Sequence, residues 1–301
     1  MPRRTAIRGN TAPGWPRRAL FAIGGVLVLA VVWELYKALG PVEGVRWGQT
    51  VVLPRTSDLA MPHLWAIFQR YGQPVDSSAG SPTVLAAVAR ASLVSLGIAA
   101  CGWAAGVVLG ALLALLMVSW RLAERALLPY VILSQTVPLI ALAPLVVTWG
   151  SQIHAGGFVW KQWMSVAAIA GYLAFFPISV GLLRGLRSAP VTQLELFRSF
   201  AAGWWRTLWS LRLPAAVTYL LPALRIAAAA AVVGAIVAEV STGMQGGIGR
   251  TILAYGIASG GDPAKPWAAI IGAVVIGLVV AGAVSLIGLG LRRFRRGEES
   301  S

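Results

Sequence analysis

The sequence predicts an all-α integral membrane protein with six transmembrane helices, on three observations. Apolar residues make up 57% of the 301 residues and charged residues only 12%, too little charge to coat a soluble domain of this size. Six apolar runs approach or exceed the roughly 20 residues that cross a bilayer core. The arginines gather in those connecting segments that an even-numbered topology places on one side.

A basic segment, residues 1–18, carries Arg3, Arg4, Arg8, Arg17 and Arg18 ahead of the first apolar run, 19–39. A signal peptide begins in the same way. Here the run ends in Trp33-Glu34-Leu35-Tyr36-Lys37 with no small-residue cleavage site, so a retained first span is expected. Residues 40–90 read as an extracytoplasmic segment. Within it Thr56-Ser57-Asp58 offers N-cap chemistry before LAMPHLWAIF, whose apolar spacing predicts a short interfacial helix. Residues 73–81 read as a loop. A five-helix core, 91–291, follows, with spans at 91–118, 126–150, 163–183, 218–240 and 267–291. It contains a cytoplasmic loop at 184–216 and ends in a basic tail, 292–301.

Arg121 and Arg125, the arginines of the 184–216 loop, and Arg292, Arg293, Arg295 and Arg296 all share the side of the N-terminus. The positive-inside rule then puts both termini and the long loop in the cytoplasm. The net charge of +15 thus reports orientation and not nucleic-acid binding. Cys101, the single cysteine, excludes an intrachain disulfide and a cysteine metal cluster. Lys37, Lys161 and Lys265 are followed by Ala, Gln and Pro, so no phosphate-binding P-loop is present. His63 and His154 lack metal-ligand spacing, and no GxSxG or HExxH pattern occurs. Neither a catalytic residue nor a metal site is expected.

Several spans hold residues with two readings. Gly102, Gly106 and Gly110, and likewise Ala230, Gly234 and Ala238, recur every four positions, a pattern for close packing within the chain or between two copies. Pro138 and Pro144 interrupt the third span beside Gln135 and Thr136. A broken helix fits a pathway lining or a kinked packing helix. Tyr172, Phe175 and Phe176 fit an aromatic pathway wall or a buried contact. Glu239 fits an acceptor for the amides of STGMQGGIG or a polar mark near the outer mouth. Arg225, near the cytoplasmic end of the same span, fits snorkelling toward phosphates or capping of the 195–214 segment. The two charges are about 21 Å apart along the helix and cannot pair.

The most distinctive segment is ELFRSFAAGWWRTLWSLRLP, residues 195–214. On a helix starting near Val191, Leu194, Phe197, Phe200 and Ala201 share one face while Glu195, Arg198 and Ser199 populate another. Gly203 offers the turn. Trp204 and Trp205 follow, and a second short helix is expected at 206–213, closed by Pro214. Such a hairpin suits a groove in a partner or an amphipathic seat on the membrane surface.

Glu195-Leu196-Phe197, then Ala201-Ala202-Gly203, then Leu213-Pro214-Ala215-Ala216 resembles the EAA loop of ABC-transporter permeases. Pro138 through Pro144 with Trp149-Gly150 is similar to the nitrate, sulfonate and taurine group. So are Leu221-Pro222-Ala223-Leu224-Arg225 through Glu239, and Gly246-Gly247-Ile248-Gly249. Ser134-Gln135-Thr136-Val137-Pro138 is closer to members for pyrimidine precursors or riboflavin. The likeness covers about 53–293. It departs from the pattern in Leu196 and Phe197, at the two alanines, and in Ala201, at the usual turn glycine. The resemblance implies a type I ABC importer permease, multi-pass in a prokaryotic inner membrane, with no cofactor on this chain. It implies a second permease copy or a related permease, separate ATPase subunits holding ATP and Mg, and an extracytoplasmic substrate-binding protein. It assigns ATPase coupling to Glu195, Phe197, Arg198, Phe200, Ala201, Gly203, Trp204 and Pro214. The pathway candidates are Gln135, Thr136, Pro138, Pro144, Tyr172, Phe175, Phe176 and Glu239. The implied substrate is a small organic solute, a sulfonate- or nitrate-like anion or a pyrimidine- or flavin-type compound. The rivals are a stand-alone secondary transporter or channel, which wants an ion site or inverted repeats, and a polytopic membrane enzyme, which wants clustered titratable groups. Export is disfavoured by the importer-like loop.

Overall fold

In lipid a backbone must satisfy its own hydrogen bonds, and the apolar runs accordingly fold as helices. The computed structural model describes residues 15–48, 50–155 and 157–290. The expectations placed on Arg3, Arg4 and Arg8 and on the tail 292–301 lie outside them. Helix α1, Trp15–Leu39, covers the first expected span, and Leu20, Phe21 and Leu29 along it are exposed. Its C-terminal end is tied down by polar contacts. Lys37 Nζ donates to Asp58 Oδ1 at 2.7 Å and to the carbonyls of Thr56 and Met61. Trp33 Nε1 donates to the Pro62 carbonyl, and its ring meets Trp267 edge-on at 4.8 Å.

These contacts correct the reading of Thr56-Ser57-Asp58. Asp58 is occupied by Lys37, which holds its carboxyl below the ordinary aspartate range. The short helix α2 starts later, at Leu64–Tyr71, with His63 as N-cap. Pro62 disfavours helical backbone at Met61, and Glu34 of α1 accepts from the Leu64 N–H at 2.7 Å. At the other end of α2, Arg70 pairs with Asp262 and the Tyr71 hydroxyl donates to the Ala268 carbonyl at 2.7 Å. The all-helical expectation also needs a small correction. Antiparallel hairpins form at β1, Val45–Trp47, with β2, Thr50–Leu53, and at β3, His154–Ala155, with β4, Phe158–Val159. Gly48 and Gly157 supply the positive φ at their turns.

Helix α3, Val84–Ser119, starts seven positions before the expected span because Thr83 caps it, its side chain accepting from Ala86 N–H. The single span expected at 126–150 is instead a bent pair. Helix α4, Arg121–Leu133, a 3-10 turn, Ser134–Thr136, and α5, Leu139–Ser151, make a 105° bend. The break falls at Pro138, which opens α5, and Val137 before it is extended. Pro144 lies inside α5 without breaking it. Helix α6, Gln162–Arg187, is followed by α7, Val191–Ser199, α8, Trp204–Thr207, and α9, Leu213–Thr242. Helix α10, Ile248–Ile257, was not expected; α11, Ala264–Gly290, completes the described chain. Among the described residues four helices are long and apolar enough to cross a membrane, or five counting the bent pair as one span.

Helix α6 lies between α3 and α9. A Cβ on Gly106 of α3 would stand 2.7 Å from Ala174 Cβ and 2.8 Å from the Gly171 carbonyl of α6. One on Gly110 would reach the Phe175 carbonyl at 2.6 Å, and one on Gly234 of α9 the Ala170 Cα at 3.2 Å. Both small-residue stripes therefore serve contacts within this chain. Gly97, on the exposed side of α3, has nothing within 4 Å of a built Cβ. Gly106→Val is expected to destabilise the helical core by roughly 1–3 kcal/mol through overpacking, and Gly97→Ala to leave it unchanged or stabilised. Thermal unfolding in detergent checks the contrast.

Candidate functional site

Two features stand at the arginine-rich end of the bundle, a helical hairpin and a cleft beside it. Helix α7 ends at Ser199 with Phe200 as its C-cap, and Ala201 takes a φ of 49°. Ala201 N–H donates to the Arg198 carbonyl at 2.9 Å and Ala202 N–H to the Phe197 carbonyl at 3.0 Å. This is the Schellman pattern, in which the left-handed position is normally glycine. The turn thus sits at Ala201, and the expectation that Gly203 makes it is corrected. Gly203 has φ −64° and opens α8, its carbonyl accepting from Thr207 N–H.

The second arm does not stop at Pro214. Helix α8 passes through a π-helical turn, Leu208–Arg212, directly into α9, so Trp204–Thr242 is one continuous stretch. Pro214 lies in the first turn of α9. It lacks a backbone donor and its ring crowds the carbonyl four residues back, and the widened turn falls where that conflict arises. Leu208 is buried in a cluster with Met117 of α3 and Leu186 of α6, which fixes the base of the hairpin. Arg212 Nε is buried there with no hydrogen-bond partner, the one such side-chain atom among the described residues. The tip is open. Glu195 and Arg198 are exposed, as are Phe200 at 75% and Trp205 at 67%, with Trp204 less so and Phe197 half-buried.

The cleft, about 690 Å³, runs between α6 and α9. Gln135, Phe176, Arg184, Tyr219, Pro222 and Ile226 are among its lining residues. It brings together Gln135 and Phe176 from the pathway candidates. Tyr172 donates its hydroxyl to the Ser134 carbonyl and so fastens the break of α4 and α5 to α6. Thr136 donates to the Leu133 carbonyl and is exposed, as are Pro138 and Pro144. Phe175 is buried, 5.8 Å from the Tyr172 ring.

Glu239 does not line this cleft. It is fully buried between α3, α9 and α10. Ser95 Oγ donates to Oε1 at 2.5 Å and Gly249 N–H donates to Oε2 at 2.8 Å, while Ser95 Oγ accepts from Ile248 N–H. Two orphan donors at the start of α10 are thereby met by side chains from two other helices, and the carboxylate faces the positive end of the α10 dipole. The hydrogen bond from Gly249 N–H is the amide contact expected of Glu239 with the STGMQGGIG segment. Gly247 and Gly249 have a physical reason as well, since a Cβ on Gly247 would overlap the Glu239 carboxylate and one on Gly249 the Ile236 carbonyl. Ser95 was not singled out from the sequence, and a lone serine on an apolar helix carries no signal of its partner. Among the described residues no group of three His, Cys, Asp or Glu is placed to hold a metal ion.

A multi-pass helical protein with an exposed hairpin rooted in a spanning helix, beside an open cleft, has the build of a transport permease. Residues 106–296, well over half the chain, match the family described as binding-protein-dependent transport system inner membrane component, and the chain belongs to that family. It is similar to the formylaminopyrimidine transport permease protein ThiX of Halalkalibacterium halodurans, at 39% identity over 145 residues, 48% of this chain and 54% of that one. It is also similar to the riboflavin transport system permease protein RibX of Chloroflexus aurantiacus, at 30% identity over 126 residues, 42% of this chain and 44% of that one. The chain spans about half the length of the curated relatives it matches.

Two outcomes follow from the site. Ala201→Gly relieves roughly 1 kcal/mol of left-handed strain, so exchange protection of the α7 amides is expected to rise about fivefold, whereas Ala201→Val lowers it. Glu239→Ala strands the Ser95 hydroxyl and the Gly249 N–H, at roughly 1–3 kcal/mol each. Gly247→Ala is also destabilising, but less so in the Glu239→Ala background, where the overlap is gone. A double-mutant cycle on thermal unfolding reads that non-additivity.

Proposed function

We propose that this chain is the membrane-spanning permease subunit of an ATP-driven importer, with six spans and both termini in the cytoplasm. The observation that carries the proposal is the α7–α8 hairpin, exposed at the arginine-rich end and continuous with α9. Exposed Leu196, Phe200 and Trp205 are the kind of apolar patch that marks a docking surface. In this reading Phe197, Phe200 and Trp204 pack in a groove of a separate ATPase, where ATP and Mg bind, and Glu195 and Arg198 make polar contacts at its rim. Ala201 and Gly203 shape the tip, and Pro214 lies where the hairpin joins the span.

Closure of an ATPase pair would move α7 and α8 and, through the π-helical turn, tilt α9 against α6. The cleft holding Gln135 and Phe176 would then alternate between two sides in a complex with a second permease copy. An extracytoplasmic binding protein would deliver the solute. Two relatives are named for formylaminopyrimidine and riboflavin and another for aliphatic sulfonates. The substrate proposed here is a small organic solute, of the heteroaromatic class in the two more similar names. Catalysis is assigned to the ATPase and not to this chain.

Expression with an ATPase encoded beside it, followed by purification in mild detergent, tests the coupling. A stoichiometric ATPase is expected to co-elute from the parent, and Glu195→Arg is expected to lose it and to cut uptake at least tenfold. Unchanged uptake by that variant would remove Glu195 from the contact. Gradient-driven uptake by the chain alone in proteoliposomes would replace the importer reading with a secondary transporter.

A further inference from the structure

A pocket of about 540 Å³ opens at the arginine-rich end of the bundle, between α4 and the end of α6, and shares no lining residue with the cleft. Its charged lining is Arg121, Glu124, Arg125 and Arg187. Glu124 is satisfied by an ion pair with Arg187, and its side chain is only 16% exposed. Arg121 and Arg125 are exposed and have no hydrogen bond or ion pair among the described residues. The pocket therefore holds two uncompensated guanidinium groups, one helical turn apart on the same face of α4.

The rest of the lining is apolar: Leu128, Pro129 and Ile132. These follow Arg125 along that same face, so α4 changes from cationic to apolar within one turn. Ile132 lies about 10 Å further along the axis than Arg125, far enough for an apolar chain to lie beside a paired headgroup. Trp120, just before α4, is 57% exposed, as suits a side chain at the membrane interface. A neutral lipid would leave the two guanidinium groups unpaired, and a soluble anion would leave the apolar wall uncovered. Basic pockets between helices on the cytoplasmic side suit lipid phosphates, and the arginine-rich end is that side in the function proposed above.

We propose that this pocket binds an anionic glycerophospholipid, its phosphate between Arg121 and Arg125 and one acyl chain along Leu128, Pro129 and Ile132. Bound there, the lipid bridges α4 and α6 at the Glu124–Arg187 pair, close in sequence to the start of α7 at Val191.

The test uses the full chain, delipidated in detergent and titrated with dioleoylphosphatidylglycerol or dioleoylphosphatidylcholine under native mass spectrometry. The parent is expected to retain phosphatidylglycerol at about tenfold lower concentration than phosphatidylcholine. The double variant Arg121→Gln/Arg125→Gln should lose that preference, while Arg90→Gln, at the opposite end of α3, keeps it. A preference that survives in the double variant overturns the site. Displacement of the lipid by millimolar inorganic phosphate or by a polyglutamate peptide overturns the lipid as occupant, in favour of a soluble anion or an acidic protein segment. If the double variant does not fold, arginine modification of the parent by phenylglyoxal decides. Phosphatidylglycerol, and not phosphatidylcholine, should protect Arg121 and Arg125, and equal labelling in both lipids overturns the proposal.

Discussion

Close backbone contact along α6 is the condition for the rest of the fold. Between helices in lipid there is little hydrophobic force to collect, because the solvent is as apolar as the side chains. Attraction has to come from surfaces that touch over their full length. Gly102, Gly106 and Gly110 of α3 lie against α6 at distances where a Cβ would collide, and Gly234 of α9 lies where one would be crowded. The polar counterpart is Glu239, which gathers α3 and α10 onto α9 through Ser95 and Gly249. Dispersion sets the spacing of the bundle, and a few directed hydrogen bonds choose its register.

The hairpin is built the opposite way, from local backbone chemistry with little burial. Ala201 holds a left-handed position that glycine would occupy more cheaply. Its hydrogen bonds to Arg198 and Phe197 still close the Schellman turn, so the departure from the usual glycine alters strain and not shape. The π-helical turn at Leu208–Arg212 accommodates Pro214, and Leu208 packs on α3 and α6. An exposed tip on a buried root suits a segment that meets a partner while staying attached to a span.

Much of this was legible in the sequence where a residue acts through its own neighbours. The apolar runs located α3, α6, α9 and α11, and the four-residue glycine spacing located the contact faces. The break at Pro138 was visible, although its 105° geometry was not, since a proline fixes its own φ and not the packing that orients the next helix. The N-cap reading of Asp58 failed because Lys37, 21 positions earlier, claims that carboxylate. Helix α10 carries a weak start signal for a related reason: its Ile248 donor is met by Ser95, 153 positions earlier, and its Gly249 donor by Glu239, ten positions earlier and inside another helix, so no N-cap side chain stands at Gly247. The hairpin turn was placed at Gly203 on residue type alone, while the hydrogen-bond pattern selects Ala201.

The buried carboxylate and the jointless stretch from Trp204 to Thr242 together have a mechanical meaning. The stretch is gripped near one end, where Glu239 holds two neighbours, and from there it extends about 50 Å to Trp204, packed on α6 along the way. In the importer proposed above, a tilt of one degree about Glu239 would carry the far tip through about 1 Å, and the Leu208 contacts with α3 and α6 would have to slide with it. Tyr219, Pro222 and Ile226, part of the way along, travel proportionally less. In that proposal small angular changes near Glu239 would become ångström-scale strokes at the hairpin, and the same lever would act in reverse.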